Sequence, residues 1–289
     1  AQVKGVVARQ VRGRGRSVLN ADDPRVLRMA RHAGGQVALF TMSGDEPPDA
    51  VTAHIAGGGP VAWFERSTAA LVLHEDGERI ALMPADAIPA TLGGAAEFNI
   101  ANALAAALAA RGCGVDLATV RAALASFHSG YRQNPGRCNV TTAPGFTTVV
   151  DYAHNPAALR ALGDAIRRMR TPGGRTIGVV STPGDRRDED ILEIGRVAAG
   201  VFDELVFRER PDGRGRPRGG GVELLRRGAL EAGADAACIR IVMDEEQAMA
   251  TALGLAGPDD LVALMPTHVD AVWRQVEAFA ASRGQHADV

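Results

Sequence analysis

At 289 residues and 46% hydrophobic content, the chain has room for one large domain or two ordinary ones, and with only 4% aromatics its cores must be built from Ala, Val, Leu and Ile. A formal net charge of −2 excludes bulk attraction to nucleic acid or to an acidic membrane surface. Cys113, Cys138 and Cys238 are odd in number and widely spaced, with no Cys-x-x-Cys, so neither a disulfide framework nor a zinc site is indicated and a reducing cytoplasm fits best.

No apolar run reaches the roughly 18 residues of a membrane span, and no signal peptide is visible. All basic residues but Lys4 are arginine, a bias that reads as GC-rich coding. The chain opens on a strand-like Val3–Ala8 run, which suggests a truncated or excised segment. Ser17–Asn20 reads as a short buried strand. Asp22-Asp23-Pro24 then offers N-cap chemistry with Pro near the first helical position, ahead of an apolar face of Val26, Leu27, Met29 and Ala30. Gln36–Met42 is the next strand. Residues 52–56, 61–65, 70–74 and 79–83 are short strand candidates split by turn residues, a pattern of antiparallel hairpins. Two helices follow, over 95–112 and 116–127, and Gly130 to Gly136 breaks the pattern at a domain boundary placed after residue 133.

From there β and α alternate strictly. The strands are Thr147–Ala153, Thr176–Ser181, Glu204–Phe207, Cys238–Met243 and Asp260–Met265; helices cover about 156–170, 188–202, 221–232, 245–256 and 269–281. Near-continuous apolar strands in such an order predict a parallel sheet with helices on both faces, whose ligands sit beyond the carboxyl ends of the strands. Residues 151–155, 183–190, 209–219 and 266–270 should therefore open on one edge, and three of these four loops are rich in charge.

Each cluster carries two readings. Asp151, closing a strand ahead of His154-Asn155-Pro156, suits either helix capping or acceptance of hydrogen bonds from a ribose diol. Arg137 is either a surface guanidinium or a clamp on phosphoryl oxygens. Asn99 and Asn102 share a helix face, as two exposed amides or as partners for an adenine edge. Asp185, Arg186, Arg187, Asp188 and Asp190 are either a solvated helix start or a recognition loop for a charged amino acid. The Arg208–Gly219 run, with Glu209, Asp212, Arg214 and Arg216, is too short and too poor in aromatics for a nucleic-acid segment.

Asn134-Pro-Gly-Arg137, Asp151-Tyr-Ala-His154-Asn155-Pro156, Gly184-Asp-Arg-Arg-Asp188 and Asn99-x-x-Asn102 resemble, in wording and order, the Mur ligase superfamily of ATP-dependent amide ligases, and within it the later part of the cyanophycin synthetases. The resemblance implies an α/β fold: residues 134–289 as a Rossmann-like C-terminal domain, preceded in 1–133 by the later part of the central ATPase domain. It implies ATP with Mg²⁺, an acyl phosphate, and an amino acid or peptide as the amine. Asn99 and Asn102 would lie at adenine, and Asp151, His154 and Asn155 at the nucleotide. Arg137 would reach the γ-phosphate. Asp185, Arg186, Arg187, Asp188, Glu209, Asp212, Arg214 and Arg216 would line the amino-acid pocket. Cyanophycin synthetases add arginine to aspartate side chains; here Arg210 and Pro211 interrupt the acidic run after the third strand, which bears on that substrate. No Gly-x-x-x-x-Gly-Lys-[Ser/Thr] loop is present, so further N-terminal domains are expected upstream and the chain alone should not hydrolyse ATP. A homo-oligomer is compatible with this reading. A peptidoglycan or folylpolyglutamate ligase, or a non-catalytic interaction domain, are the alternatives.

Overall fold

The structure is a computed structural model and describes residues 2–143, 145–210 and 212–284. Contacts divide the chain between His128 and Ser129 into two compact units.

In the first unit, helix α1 (Gln2–Gln10) precedes β1 (Arg16–Asn20), and α2 (Pro24–Leu27) leads to β2 (Gln36–Thr41). Helix α3 (Asp49–Ala56) is followed by β3 (Val61–Glu65), β4 (Ala70–Glu75), β5 (Glu78–Pro84), then α4 (Glu97–Gly112) and α5 (Leu117–Ser126). The five strands form one sheet in sequence order: β1, β2 and β3 are parallel, and β3–β4–β5 form antiparallel hairpins. Asp23 caps α2 with Pro24 at its start, as the sequence indicates. Along α4, Ile100, Ala103, Leu104, Ala107 and Leu108 are buried, the 3–4 spacing of one helix face laid on the sheet.

Two strand assignments fail here. Val3–Ala8 is helical: Val3 and Val7 are exposed, only Ala8 of the run is buried, and among the described residues no strand pairs with it. Valine's strand preference is realised only against neighbouring strands. Residues 52–56 belong to α3, which starts after Pro48 with Asp49 in its first turn and buries Val51. The Pro-Asp start signal and the four-residue spacing of Val51 and Ile55 outweigh the β-branched content.

The second unit comprises β6 (Asn139–Ala143), β7 (Phe146–Val150), α6 (Pro156–Met169), β8 (Thr176–Val180), α7 (Asp188–Ala199) and β9 (Glu204–Phe207), then α8 (Gly220–Glu231), β10 (Ile239–Ile241), α9 (Glu245–Leu255), β11 (Leu261–Leu264) and α10 (Val269–Gly284). Its sheet order is β10-β9-β8-β11-β7-β6. Five strands are parallel; β6 is an additional edge strand, antiparallel to β7, that the alternating pattern did not reveal. It follows directly on the Gly- and Pro-rich break, and its only sequence cue is the Pro144-Gly145 pair. The chain steps outward from β7 through β8 and β9 to β10, then returns to insert β11 between β8 and β7. Right-handed crossovers therefore put α6, α7 and α8 on one face and α9 with α10 on the other. The α9–α10 face packs Val150, Val179, Val206, Val262 and Leu264 against Met249, Leu253, Val272 and Val276. Helices α7 and α8 touch backbone to backbone: a Cβ at Gly195 or Gly228 would lie 2.1 Å from a carbonyl oxygen of the facing helix.

Candidate functional site

The carboxyl ends of β7, β8, β9 and β11 share one edge, and the loops that leave them carry most of the charged groups singled out above. Asp151 follows β7. Its amide donates to Leu264 O, and its Oδ2 accepts from the Cys138 amide at 2.9 Å. Burial pushes the Asp151 carboxyl above the usual carboxylate range, against the amides of Cys138 and Ala153 and the charge of Arg137. Burial, with Asp151 alongside, pushes the Cys138 thiol up to about 12.

The segment before β6 is organised by Asn139, fully buried, a residue that sequence reading passed over. Asn139 Oδ1 accepts from the Gly136 amide at 2.7 Å, and its Nδ2 donates to Ser129 O at 2.8 Å and Asn134 O at 2.9 Å. Gly136 has φ +71°, and a Cβ there would sit 2.8 Å from Val269 Cγ2, so glycine is required on both counts. Arg137 is thereby presented from a rigid turn: it is exposed, with its guanidinium 5.9 Å from the Tyr152 ring centroid. Tyr152 N donates to Gly136 O at 2.8 Å, tying this turn to the loop after β7. His154 Nδ1 donates to Tyr152 O at 2.8 Å, which leaves Nε2 as the acceptor in the neutral ring. Asn155 behaves as the capping alternative describes. Its Oδ1 accepts from the Ala158 amide, Pro156 opens α6, and that oxygen is committed to the helix rather than to a cofactor.

Residues 183–190 and 209–219 meet, as expected of adjacent strand-end loops, but their carboxylates are bound to the chain's own groups. Asp185 pairs with Arg214 at 2.9 Å, and Asp188 pairs with Arg216 at 2.8 Å. Arg216 also donates to Gly184 O and Arg186 O. Arg187 pairs with Asp190 within the first turn of α7. Hydrogen bonds from Arg214 and Arg187 hold Asp185 and Asp190 below the usual range. Asp212 accepts from the Arg214 amide, a local turn. Glu209 departs furthest from its assignment: it is buried at 8% exposure and accepts from the amides of Gly219 and Gly221, closing the start of α8.

Two arginines to which the sequence reading gave no site role lie beneath this edge. Arg208, 1% exposed, pairs with Glu245 at 2.5 Å and donates to Met265 O and Thr267 Oγ1, both at 3.0 Å. Burial lowers Arg208 to about 10, against the opposing pull of Glu245. Burial alone would raise Glu245; Arg208, the amides of Thr267 and His268, and the His268 ring outweigh it and hold the carboxyl low. Arg210, 9% exposed, donates to Tyr152 Oη at 3.3 Å and lies 5.5 Å from that ring's centroid. The available signal was the alternation Arg208-Glu209-Arg210 continuing β9 beyond Phe207.

In the first unit, Asn99 and Asn102 do share a face of α4. Asn102 Nδ2 donates to Asn99 Oδ1 at 3.1 Å, and Asn99 Nδ2 donates to Ala90 O at 2.7 Å, so Asn99 is oriented by the backbone and the more exposed Asn102 by Asn99. Among the described residues no group of three or more His, Cys, Asp or Glu could hold a metal ion, and no helix is long and apolar enough to cross a membrane.

Residues 136–268 match the family described as Mur ligase, glutamate ligase domain. A cyanophycin synthetase of a Nostoc species is 41% identical over 269 residues, covering 93% of this chain and 29% of the relative. One of Geminocystis herdmanii is 37% identical over 282 residues, covering 98% and 31%. This chain thus spans about three-tenths of the length of these curated relatives. The crystal structure of MurF ligase from Thermotoga maritima in complex with ADP shares the fold with a TM-score of 0.55 at 18% identity, over 95% of this chain and 55% of that one. With motifs, sheet order and relatives in agreement, the chain belongs to the Mur ligase superfamily.

Proposed function

We propose that this chain is the C-terminal portion of an ATP-dependent amide ligase of the cytoplasm, a cyanophycin synthetase that joins arginine to aspartate side chains. The observation that carries this reading is the likeness to cyanophycin synthetases along nearly the whole chain. Residues 134–289 would form the C-terminal domain, after the later part of an ATPase domain. A carboxylate attacks the γ-phosphate of ATP, releasing ADP and forming an acyl phosphate. An amine then adds to the acyl carbon, the tetrahedral intermediate expels phosphate, and the amide remains. Positioning and electrostatic stabilisation do most of such catalysis.

Arg137, exposed and held by the Asn139-organised turn, would meet charge on the transferred phosphoryl group. Asp151 would take the ribose hydroxyls with the carboxylate oxygen not bound to Cys138, and His154 would lie beside it. Asn102, oriented by Asn99, would offer its amide to adenine. Mg²⁺ would travel on the nucleotide phosphates, since the described residues supply no carboxylate cage for it. For the incoming amino acid, the exposed Asp185 and Asp188 remain candidates, but a guanidinium must compete there with Arg214 and Arg216. Glu209 is withdrawn from that role because α8 uses its carboxylate.

The test is amino-acid-dependent ADP release by the full-length protein. Arginine should stimulate it, while the 289-residue chain alone should show none, lacking a phosphate-loop lysine. Stimulation by diaminopimelate or glutamate, with none by arginine, would overturn the substrate assignment.

A further inference from the structure

Arg210 is a buried cation that pairs with no carboxylate among the described residues. It is 9% exposed, and its Nε is buried without a hydrogen-bond partner. Four acids of the neighbouring loops and helices are engaged elsewhere. Glu245 is taken by Arg208, Glu209 by the amides of α8, Asp185 by Arg214 and Asp188 by Arg216. Arg208 adds a second buried guanidinium nearby, and its own Nε and Nη1 also lack partners. An uncompensated buried charge is costly and persists in a fold when something else offsets it. Tyr152 holds the group in place: the guanidiniums of Arg210 and Arg137 lie 5.5 Å and 5.9 Å from the same ring centroid.

We propose that Arg210, braced by Tyr152 and facing the same corner as Arg137, is a binding residue for an oxyanion at the carboxyl edge of this sheet. A planar guanidinium with unspent N–H groups takes a phosphoryl group or a carboxylate equally well in geometry. The link to chemistry rests on the proposed function, whose reaction presents both: the phosphoryl group in transfer and the carboxylate of the incoming amino acid. The existence of the anion site does not rest on it.

Thermal unfolding of the 289-residue chain is followed in inorganic phosphate and, separately, in acetate, with ionic strength matched by chloride. At about a hundred times its dissociation constant, the bound anion should raise Tm by roughly 5 °C. Arg210→Gln should abolish this rise while leaving the anion-free Tm unchanged or higher, because an uncompensated charge has been removed. General salting effects of phosphate would persist in the variant and cancel in the difference. A response to phosphate alone assigns the phosphoryl source; a response to acetate alone assigns the carboxylate. Should Arg210→Gln fail to fold, Arg210→Lys should keep the rise with roughly tenfold weaker affinity, since bidentate geometry is lost. A lowered anion-free Tm with the anion response intact would overturn the proposal and make Arg210 a structural brace. Loss of the response in Arg210→Gln but not in Arg137→Ala would leave the site standing on Arg210 alone.

Discussion

Arg210 and Arg214 lie four residues apart after β9 and have opposite surroundings. Arg214 is exposed and paired with Asp185; Arg210 is buried and has no carboxylate partner among the described residues. Two residues further back, Arg208 is buried and does have one, Glu245. Surface pairing is the ordinary condition of an arginine and contributes little, whereas burial without a counter-ion is costly. The contrast separates arginines that shape loops from arginines available to a ligand. Neither the residue type nor its spacing makes that distinction.

The most forceful way to sharpen the contrast is to give Arg208 the condition of Arg210. Glu245→Ala strands a fully buried guanidinium and also frees the amides of Thr267 and His268. The expected loss of stability is about 3–5 kcal/mol in urea unfolding. Arg208→Met with Glu245→Leu should recover most of it. A single Glu245→Ala change of under about 1 kcal/mol would show that the interior beneath this edge tolerates bare charge, and would weaken the case for an anion at Arg210.

Arg137 tests the functional side. It is exposed and carries no ion pair among the described residues, so Arg137→Ala should barely alter folding. In the full-length enzyme it should lower turnover by the equivalent of about 2–4 kcal/mol of transition-state stabilisation, with ATP binding little changed. Unchanged turnover would return Arg137 to the surface class with Arg214.

Most of the architecture was legible because apolar periodicity is a direct record of burial. The five parallel strands of the second unit and the buried face of α4 follow from it, and the motifs at Asp151–Pro156 and Gly184–Asp188 follow strands as expected. Several failures share a cause: the side chain's partner, or its lack of one, is set by the fold and not by the neighbouring residues. Val3–Ala8 reads as a strand until no strand is there to pair with it. Asn139 looks like any loop asparagine, yet it holds Ser129, Asn134 and Gly136 together. Glu209 looks like a recognition carboxylate, yet the start of α8 comes to it. Charge in the sequence announced an important edge but not which charges were already spent.

Asp151 offers a test in pH. Its folded pKa is raised by burial, so between the ordinary aspartate value and that raised value the folded state holds more protons than the unfolded state. Stability must therefore fall as pH rises through that window, and the ionised group costs stability above it. Asp151→Asn should flatten that decline and raise Tm at neutral pH, provided the amide is oriented to keep the bond from Cys138 N. It should also weaken nucleotide binding in the full-length enzyme if the ribose assignment holds. A variant less stable than the parent at neutral pH would show that the carboxylate's hydrogen bonds, not its burial, dominate.

The smallest expected effect on stability belongs to the exposed pair. Asp185 and Arg214 form a solvent-screened bridge whose removal should leave Tm within error, because such pairs gain little over hydration. Their kinetic signatures should nevertheless oppose one another. If Asp185 receives the cationic side chain of the incoming amino acid, Arg214 is its internal competitor. Asp185→Asn should then raise the KM for that amino acid, while Arg214→Gln should lower it, and both should leave the KM for ATP nearly unchanged. Parallel shifts in the two variants would mean that the bridge itself shapes the loop. No shift in either would mean that the amino acid binds away from this exposed pair, which would shift attention to the buried arginines beneath it.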